Sequence, residues 1–146
     1  MALFRYRYKY KDFGLLLLRV GIGFMFILHG WPKLMGGPEK WEQVGNNMQL
    51  FGIDFMPVFW GFMAAFAEVV GGALVMLGFF FRIACILLTI TMLVAAYRHA
   101  AAGEGFGGYS HAFEAGILFF SLIFIGPGKY SLDKAIFPGK RDRRLY

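Results

Sequence analysis

The sequence predicts an all-α protein in which four transmembrane helices form an antiparallel bundle. Hydrophobic residues make up 58% of the 146-residue chain and charged residues only 16%, whereas a soluble domain has about 45–50% apolar and about 25% charged residues. One small core cannot bury that much apolar surface. The apolar residues form four long segments, and the basic residues crowd toward the two ends of the chain. This distribution of charge suits anionic lipid headgroups better than nucleic acid.

The four apolar segments have the length of membrane spans, because a helix needs about 20 apolar residues to cross the hydrocarbon core. The second segment opens with Pro57, and proline is tolerated in the first turn of a helix. The fourth segment stops at the helix-breaking run Gly126-Pro127-Gly128. No internal repeat is visible, so we expect a single domain over residues 1–146. The predicted spans are residues 13–35, 57–80, 82–102 and 109–126.

The distribution of Lys and Arg predicts the orientation of the bundle, since cytoplasmic segments are enriched in these residues. Four of them precede the first span, six follow the breaker run, and Arg82 lies in the turn between the second and third spans. The loop of residues 36–56 has only Lys40. We therefore expect the arm of residues 1–12 and the tail of residues 127–146 to be cytoplasmic, in a bacterial inner membrane.

The long loop after the first span is predicted to lie along the outer surface and to cover the outer end of the bundle. Apolar residues recur in it at helical spacing, which indicates a short amphipathic helix. These residues are Trp41, Val44, Met48 and Phe51. Trp31 and Trp60 would join Trp41 in an aromatic belt at the outer interface.

Two ionisable residues lie deep within the first two spans. Insertion of such a residue costs at least about 2.5–3.5 kcal/mol, so it usually faces a partner or a cavity. Glu68 lies eleven residues into the second span, about 16 Å from its start, and Arg19 lies six residues in from the opposite side, about 9 Å. We expect Arg19 and Glu68 to pair, because an isolated carboxylate at this depth would simply hold its proton. Such a pair would either lock two helices together or belong to a functional site.

Small residues mark the faces by which the first two spans should meet, because they permit close helix approach. In the first span they share a face with Arg19 and Lys33, and in the second span they share a face with Glu68. They are Gly23 and Gly30 in the first span, and Gly61, Ala64, Ala65, Gly71 and Gly72 in the second.

Further ionisable residues gather near the predicted outer ends of three spans, and we expect them to form a polar pocket that opens outward. Histidine titrates near neutral pH and can relay protons. A metal site of the three histidines and Glu114 has no HxxxH or ExxH motif to support it. A haem would need two histidines facing each other at one depth. The residues of the pocket are His29, Lys33, Arg98, His99, His111 and Glu114.

Three stretches of the sequence carry a family resemblance: LLLLRVGIGFMFILHGWPKL, AAFAEVVGGALVMLGFFFRIA and IGPGKYSLD. From about Leu15 to Asp133 the chain resembles the DoxX family of small four-helix membrane proteins. The matching residues are Arg19, Gly23, His29, Gly30, Lys33, Glu68, Gly71, Gly72, Arg82 and the GPGxxSLD ending. Relatives include the membrane subunit of a thiosulfate:quinone oxidoreductase, so the resemblance implies a quinone-linked role. The layout is also similar to that of quinone-coupled thiol oxidoreductases, but Cys85 is the chain's one cysteine, so disulfide exchange by this chain alone is not expected.

These observations favour a quinone-linked redox membrane subunit, because an apolar slot with a few proton donors suits a quinone head. The residues expected to act on the ligand are Glu68, Arg19 and His29, and those expected to bind it are Lys33, Arg98, His99, His111 and Glu114. Two alternatives stay open. One is a structural or assembly subunit of a larger membrane complex, and the other is a small proton-coupled carrier. We expect the lipid bilayer and further subunits or a second copy as partners, and no nucleic acid.

Overall fold

The computed structural model describes residues 10–137, and these residues contain helices and no strand. Four helical spans are long and apolar enough to cross a membrane, which confirms the all-α four-helix bundle. The basic residues before Tyr10 and after Phe137 lie outside the described residues. In chain order the helices are α1 (Lys11–Met35), α2 (Gly37–Gly45), a 3-10 helix (Asn46–Phe51), α3 (Pro57–Phe66), a π-helix (Ala67–Gly71), α4 (Gly72–Leu77), α5 (Phe81–Ala101), α6 (Gly105–Ile125) and α7 (Leu132–Ile136).

Two of the span boundaries follow from backbone conformations that favour glycine, the end of the second span and the start of the fourth. The second span consists of α3, the π-helix and α4, and it ends at Gly78, whose φ of +66° is left-handed. The fourth span, α6, begins at Gly105 rather than at residue 109. Gly103 and Gly105 have φ of +70° and +71° and make the turn from α5, so the helix begins among polar and small residues that an apolar pattern does not include.

The first span packs against the second in antiparallel register through glycines. A Cβ added to Gly30 would lie 2.7 Å from the Cβ of Glu68, and a Cβ added to Gly23 would lie 2.5 Å from the carbonyl oxygen of Gly72. No larger side chain fits at these distances, so the two helices approach closely. Gly23 and Gly30 of the first span and Gly72 of the second therefore lie on the faces that meet, as predicted, and they place Glu68 directly beside Gly30. Gly61 and Gly71 were predicted on the same face of the second span, but they lie against Trp41 of α2 and Leu88 of α5.

The second span changes from α-helix to π-helix at Ala67–Gly71. A π segment adds a residue to one turn and is frequent at functional sites. Here the segment carries Glu68, which is buried. The irregular turn thus coincides with the deepest acid predicted from the sequence.

The segment of residues 128–136, which we call the clasp, folds back over the end of the bundle where α1 begins. Arg19 is fully buried, and its Nη2 donates a hydrogen bond to the carbonyl oxygen of Tyr130 in the clasp. The Asp133 carboxylate accepts hydrogen bonds from the backbone N–H groups of Phe80 and Phe81, each at 2.9 Å. The clasp therefore ties the first span to the start of α5.

At the other end, residues 37–51 form a layer that we call the roof. A Cβ on Gly45 would overlap the Pro57 carbonyl oxygen, and a Cβ on Gly61 would overlap the Trp41 carbonyl oxygen, so the roof and α3 are in backbone contact. The Trp41 indole Nε1 donates to the Lys33 carbonyl oxygen at 3.0 Å. The predicted short helix is present, although it becomes a 3-10 helix at Asn46.

Candidate functional site

A cavity of about 690 Å³ lies between the second span and α5, beneath the roof. Its walls are mostly apolar, with Met63, Ala64 and Ala67 on the second span facing Leu87 and Val94 on α5. The roof contributes further apolar side chains, Val44 and Met48. A cavity of this size and lining is typical of a site for a small organic molecule.

An ion pair between Lys33 and Glu68 forms the polar part of the cavity wall. The Lys33 Nζ donates to both Glu68 carboxylate oxygens at 2.7 Å. The Glu68 side chain is 4% exposed and that of Lys33 is 36% exposed. The carboxylate is thus held by the protein, whereas the ammonium faces the cavity.

The pairing of Arg19 with Glu68 expected from the sequence is wrong. Glu68 lies beside Gly30, and Arg19 is eleven residues away along the same helix, about 16 Å. Lys33 lies less than one turn beyond Gly30 and takes the place that Arg19 was expected to occupy. Arg19 is in the clasp region instead, with its guanidinium 5.9 Å from the centre of the Phe81 ring.

A second polar group lies at the outer end of α5. Arg98 and His99 line the cavity, and both contact Glu104 in the turn before α6. The Arg98 Nη1 donates to one Glu104 oxygen at 3.1 Å, and the His99 Nδ1 lies 2.6 Å from the other. Glu104 holds these two side chains together at the mouth of the cavity.

The structure divides the outer polar pocket expected from the sequence into two groups. Lys33, Arg98 and His99 line the cavity. His29, His111 and Glu114 are exposed on α1 and α6 and are not among the lining residues. The described residues contain no group of three or more His, Cys, Asp or Glu side chains that could hold a metal ion.

Several polar residues that line the cavity were not among those predicted from the sequence. Lys40, Gln43 and Asn47 reach it from the roof, and Thr91 reaches it from α5. Lys40 donates to the Gln43 side chain at 2.8 Å. The roof residues could have been found, because they share the helix whose apolar face was predicted to cover the bundle. Nothing in the sequence signals Thr91, whose hydroxyl bonds the Leu87 carbonyl oxygen within α5 at 2.9 Å.

The fold defines a small four-helix membrane protein, and its cavity combines apolar walls with a charged pair. The profile of the DoxX family matches residues 14–101, and the chain belongs to this family. No solved structure gives a significant match to the chain.

Individual relatives cover most of the chain. It is 28% identical over 131 residues to "Putative oxidoreductase CatD" of Bacillus subtilis (strain 168), with 90% of this chain and 92% of that protein covered. It is 32% identical over 136 residues to "Uncharacterized membrane protein Rv3486" of Mycobacterium tuberculosis, covering 82% of this chain and 78% of that protein. It is 30% identical over 137 residues to "Inner membrane protein YphA" of Escherichia coli (strain K12), covering 84% of this chain and 94% of that protein.

Proposed function

We propose that this protein is a quinone-binding subunit of an oxidoreductase in a bacterial inner membrane. The observation that carries the proposal is the Lys33–Glu68 pair, which presents one donor and one acceptor in the wall of a mostly apolar cavity. The names of CatD and YphA, which refer to an oxidoreductase and to the inner membrane, agree with this proposal.

The ion pair suits both redox states of a quinone. A quinone carbonyl oxygen only accepts hydrogen bonds, and the Lys33 ammonium can donate one to it. A quinol hydroxyl also donates, and the Glu68 carboxylate can accept from it. Reduction of the quinone consumes two electrons and two protons. Lys33 would give one proton from its ammonium, and the Glu68 carboxylate would first take up the other from water in the cavity and then pass it to a ring oxygen. The partly exposed Lys33 would regain its proton from the same water.

The electrons must come from another subunit in this proposal. The chain has one cysteine, Cys85, so it cannot form a dithiol–disulfide couple of its own. Cys85 is also fully buried in the core, among Phe81, Ala84 and Leu88, and it is not a lining residue of the cavity. We therefore propose a redox partner subunit as the electron donor and assign this chain the quinone site.

The basic residues support an orientation with both termini in the cytoplasm. Arg82, Lys129 and Lys134 lie at the clasp end of the bundle, whereas the roof has only Lys40. Because Lys and Arg are enriched in cytoplasmic segments, the clasp faces the cytoplasm and the cavity lies in the outer half of the membrane. Quinone would then react near the outer surface.

The test is an analysis of the quinone that co-purifies with the protein in mild detergent. We expect quinone with the wild-type protein and little or none with Glu68→Gln, while Glu114→Gln serves as the matched control because Glu114 is exposed outside the cavity. Quinone at equal occupancy in all three proteins would contradict the site. The absence of quinone from intact wild-type protein would contradict the function and leave the assembly and carrier alternatives.

A further inference from the structure

The cavity has an opening on the side of the bundle, between the second span and α5. On α5, Ile86, Ile90 and Leu93 form an exposed face, while Leu87 and Val94 line the cavity. Ile90 belongs to both sets, since it lines the cavity and is 55% exposed. At this residue the cavity wall runs directly into the outer surface of the bundle.

The second span shows the same arrangement. Val58 and Phe66 are exposed and do not line the cavity, whereas Met63 lines it. Phe59 does both, with 44% of its surface exposed. Phe59, near the outer end of the second span, and Ile90, near the middle of α5, therefore mark where the cavity wall reaches the outer surface on each element, and we call the opening between these elements the slit.

Helix packing explains why the slit exists. α5 packs along α6 and meets the second span at the π-helix and α4, whereas α3 packs chiefly on α2 of the roof. The outer half of the second span is thus held by the roof and separates from α5. Ile90 lies nine residues into α5, about 14 Å from its start, so the slit reaches the middle of a membrane about 30 Å thick. A gap at that depth opens to lipid.

The size of the cavity indicates that more than a ring binds in it. A dry protein cavity of about 150 Å³ is large enough to hold benzene, and this cavity has about 690 Å³. Its lining follows α5 from Leu87 to His99, twelve residues or about 18 Å. A ring beside Lys33 and Glu68 leaves most of this length unfilled, and the middle of it is lined mainly by apolar side chains, Ile90, Val94 and Ala95.

The other openings of the cavity lie beside polar side chains, since Lys40 and Gln43 of the roof line the cavity and are exposed. The roof cannot lift easily from α3, because Gly45 and Gly61 bring the two backbones into contact. The outer mouth is held by the Arg98–Glu104 and His99–Glu104 contacts. The slit is the apolar way in.

We propose that the slit is the access route from the membrane and the binding site for the isoprenoid tail of the quinone. The tail lies between Phe59 and Ile90 while the ring lies at the Lys33–Glu68 pair. This inference rests on the proposed function, and it adds that the ligand enters sideways from lipid and is recognised through its tail.

The test compares two naphthoquinones with the same head, one with a four-unit isoprenoid tail and one without a tail (menadione). Both are titrated into full-length protein in lipid nanodiscs, and binding is measured by calorimetry against nanodiscs without protein, because each variant adds a tryptophan to the three of the chain and would alter a fluorescence signal. Ile90→Trp narrows the slit, and Ile86→Trp is the matched control, since Ile86 is exposed on the same helix but does not line the cavity. We expect Ile90→Trp to raise the Kd of the tailed quinone about tenfold or more, to leave that of menadione within about twofold, and Ile86→Trp to change neither.

Equal weakening of both quinones by Ile90→Trp, or weakening of neither, would overturn the inference. Binding of neither quinone to the wild-type protein would overturn the proposed function itself, which is a distinguishable result. If Ile90→Trp does not fold, the wild-type protein is labelled with a quinone that carries a photoreactive diazirine in its tail. Labelling of the peptides that contain Phe59 and Ile90 supports the slit. Labelling elsewhere would show that the tail binds another surface, and labelling that unlabelled tailed quinone does not compete away would show that a phospholipid chain occupies the slit; either result overturns the inference.

Discussion

The Lys33–Glu68 pair predicts an asymmetric response to the removal of its two partners. Lys33→Met leaves the Glu68 carboxylate uncompensated with a side chain only 4% exposed, and loss of one partner of a buried pair costs about 3–5 kcal/mol. Glu68→Gln leaves an ammonium that is 36% exposed and can be hydrated in the cavity. Glu68→Gln should therefore lower the free energy of unfolding by about 1.5 kcal/mol, the lower end of the range for a hydrogen bond to a charged group.

The assay is reversible unfolding in mixed detergent micelles, followed by far-ultraviolet circular dichroism. The double variant Lys33→Met with Glu68→Leu should be more stable than Lys33→Met alone, because no uncompensated charge remains. Lys40→Met is the matched control, since Lys40 reaches the same cavity but bonds only the Gln43 side chain there, and we expect a change within about 0.5 kcal/mol. The reasoning is refuted if Glu68→Gln costs as much as Lys33→Met, or if the double variant is no more stable than Lys33→Met alone.

Three further predictions concern packing, the clasp and orientation. Gly30→Ala places a Cβ 2.7 Å from the Cβ of Glu68 and should lower the free energy of unfolding by about 1–3 kcal/mol. Gly21→Ala, where an added Cβ would have nothing within 4 Å, should be neutral or stabilising. Equal effects of the two substitutions in thermal unfolding would contradict the register of α1. Asp133→Ala removes two hydrogen bonds to the start of α5 and should lower the free energy of unfolding by about 1–2 kcal/mol in the same measurement. Asp54→Ala, in an exposed loop, should change it little. Similar losses of stability in both variants would contradict the role of the clasp. Cysteine tags at both chain ends should react with a membrane-impermeant reagent only after the cells are opened, and labelling of intact cells would reverse the proposed topology.

The bundle was predictable because its signals are local. Each span is a continuous apolar run of sufficient length, and turn residues such as Gly78 and Gly126 lie at the run ends. The contact face of the first span followed from the spacing of its small residues, and the contacts at Gly23, Gly30 and Gly72 confirm it, whereas Gly61 and Gly71 meet other helices. These features depend on neighbours in sequence, so the sequence displays them directly.

The partner of Glu68 was not predictable in the same way. Arg19 and Lys33 share one face of α1, so helical periodicity alone allows either to meet the acid. The choice is made by the register of α1 on the second span, which depends on backbone contact at Gly30 and on the clasp that engages Arg19. Both determinants are contacts between distant parts of the chain. The depth of a residue, counted from the start of its span, gives no information about such contacts.

The prediction of a single outer polar pocket was wrong in part for a related reason. His29, His111 and Glu114 lie at suitable positions along their helices, but they point to the exposed side of the bundle. Which side of a helix faces a cavity depends on where neighbouring helices separate. Here they separate between α3 and α5, because the roof holds α3 through Gly45 and Gly61.

The clasp gives the synthesis of this protein a definite order. Arg19 and Tyr130 are 111 residues apart, so the first span leaves the ribosome and meets the translocon long before its buried guanidinium can find the carbonyl group that receives it. During that interval the arginine must keep its charge near the lipid headgroups, which its long side chain allows. Only the last helices bring the receiving backbone into place. A nascent chain that stalls before Tyr130 therefore lacks the backbone carbonyl group that its first-span arginine contacts in the complete protein.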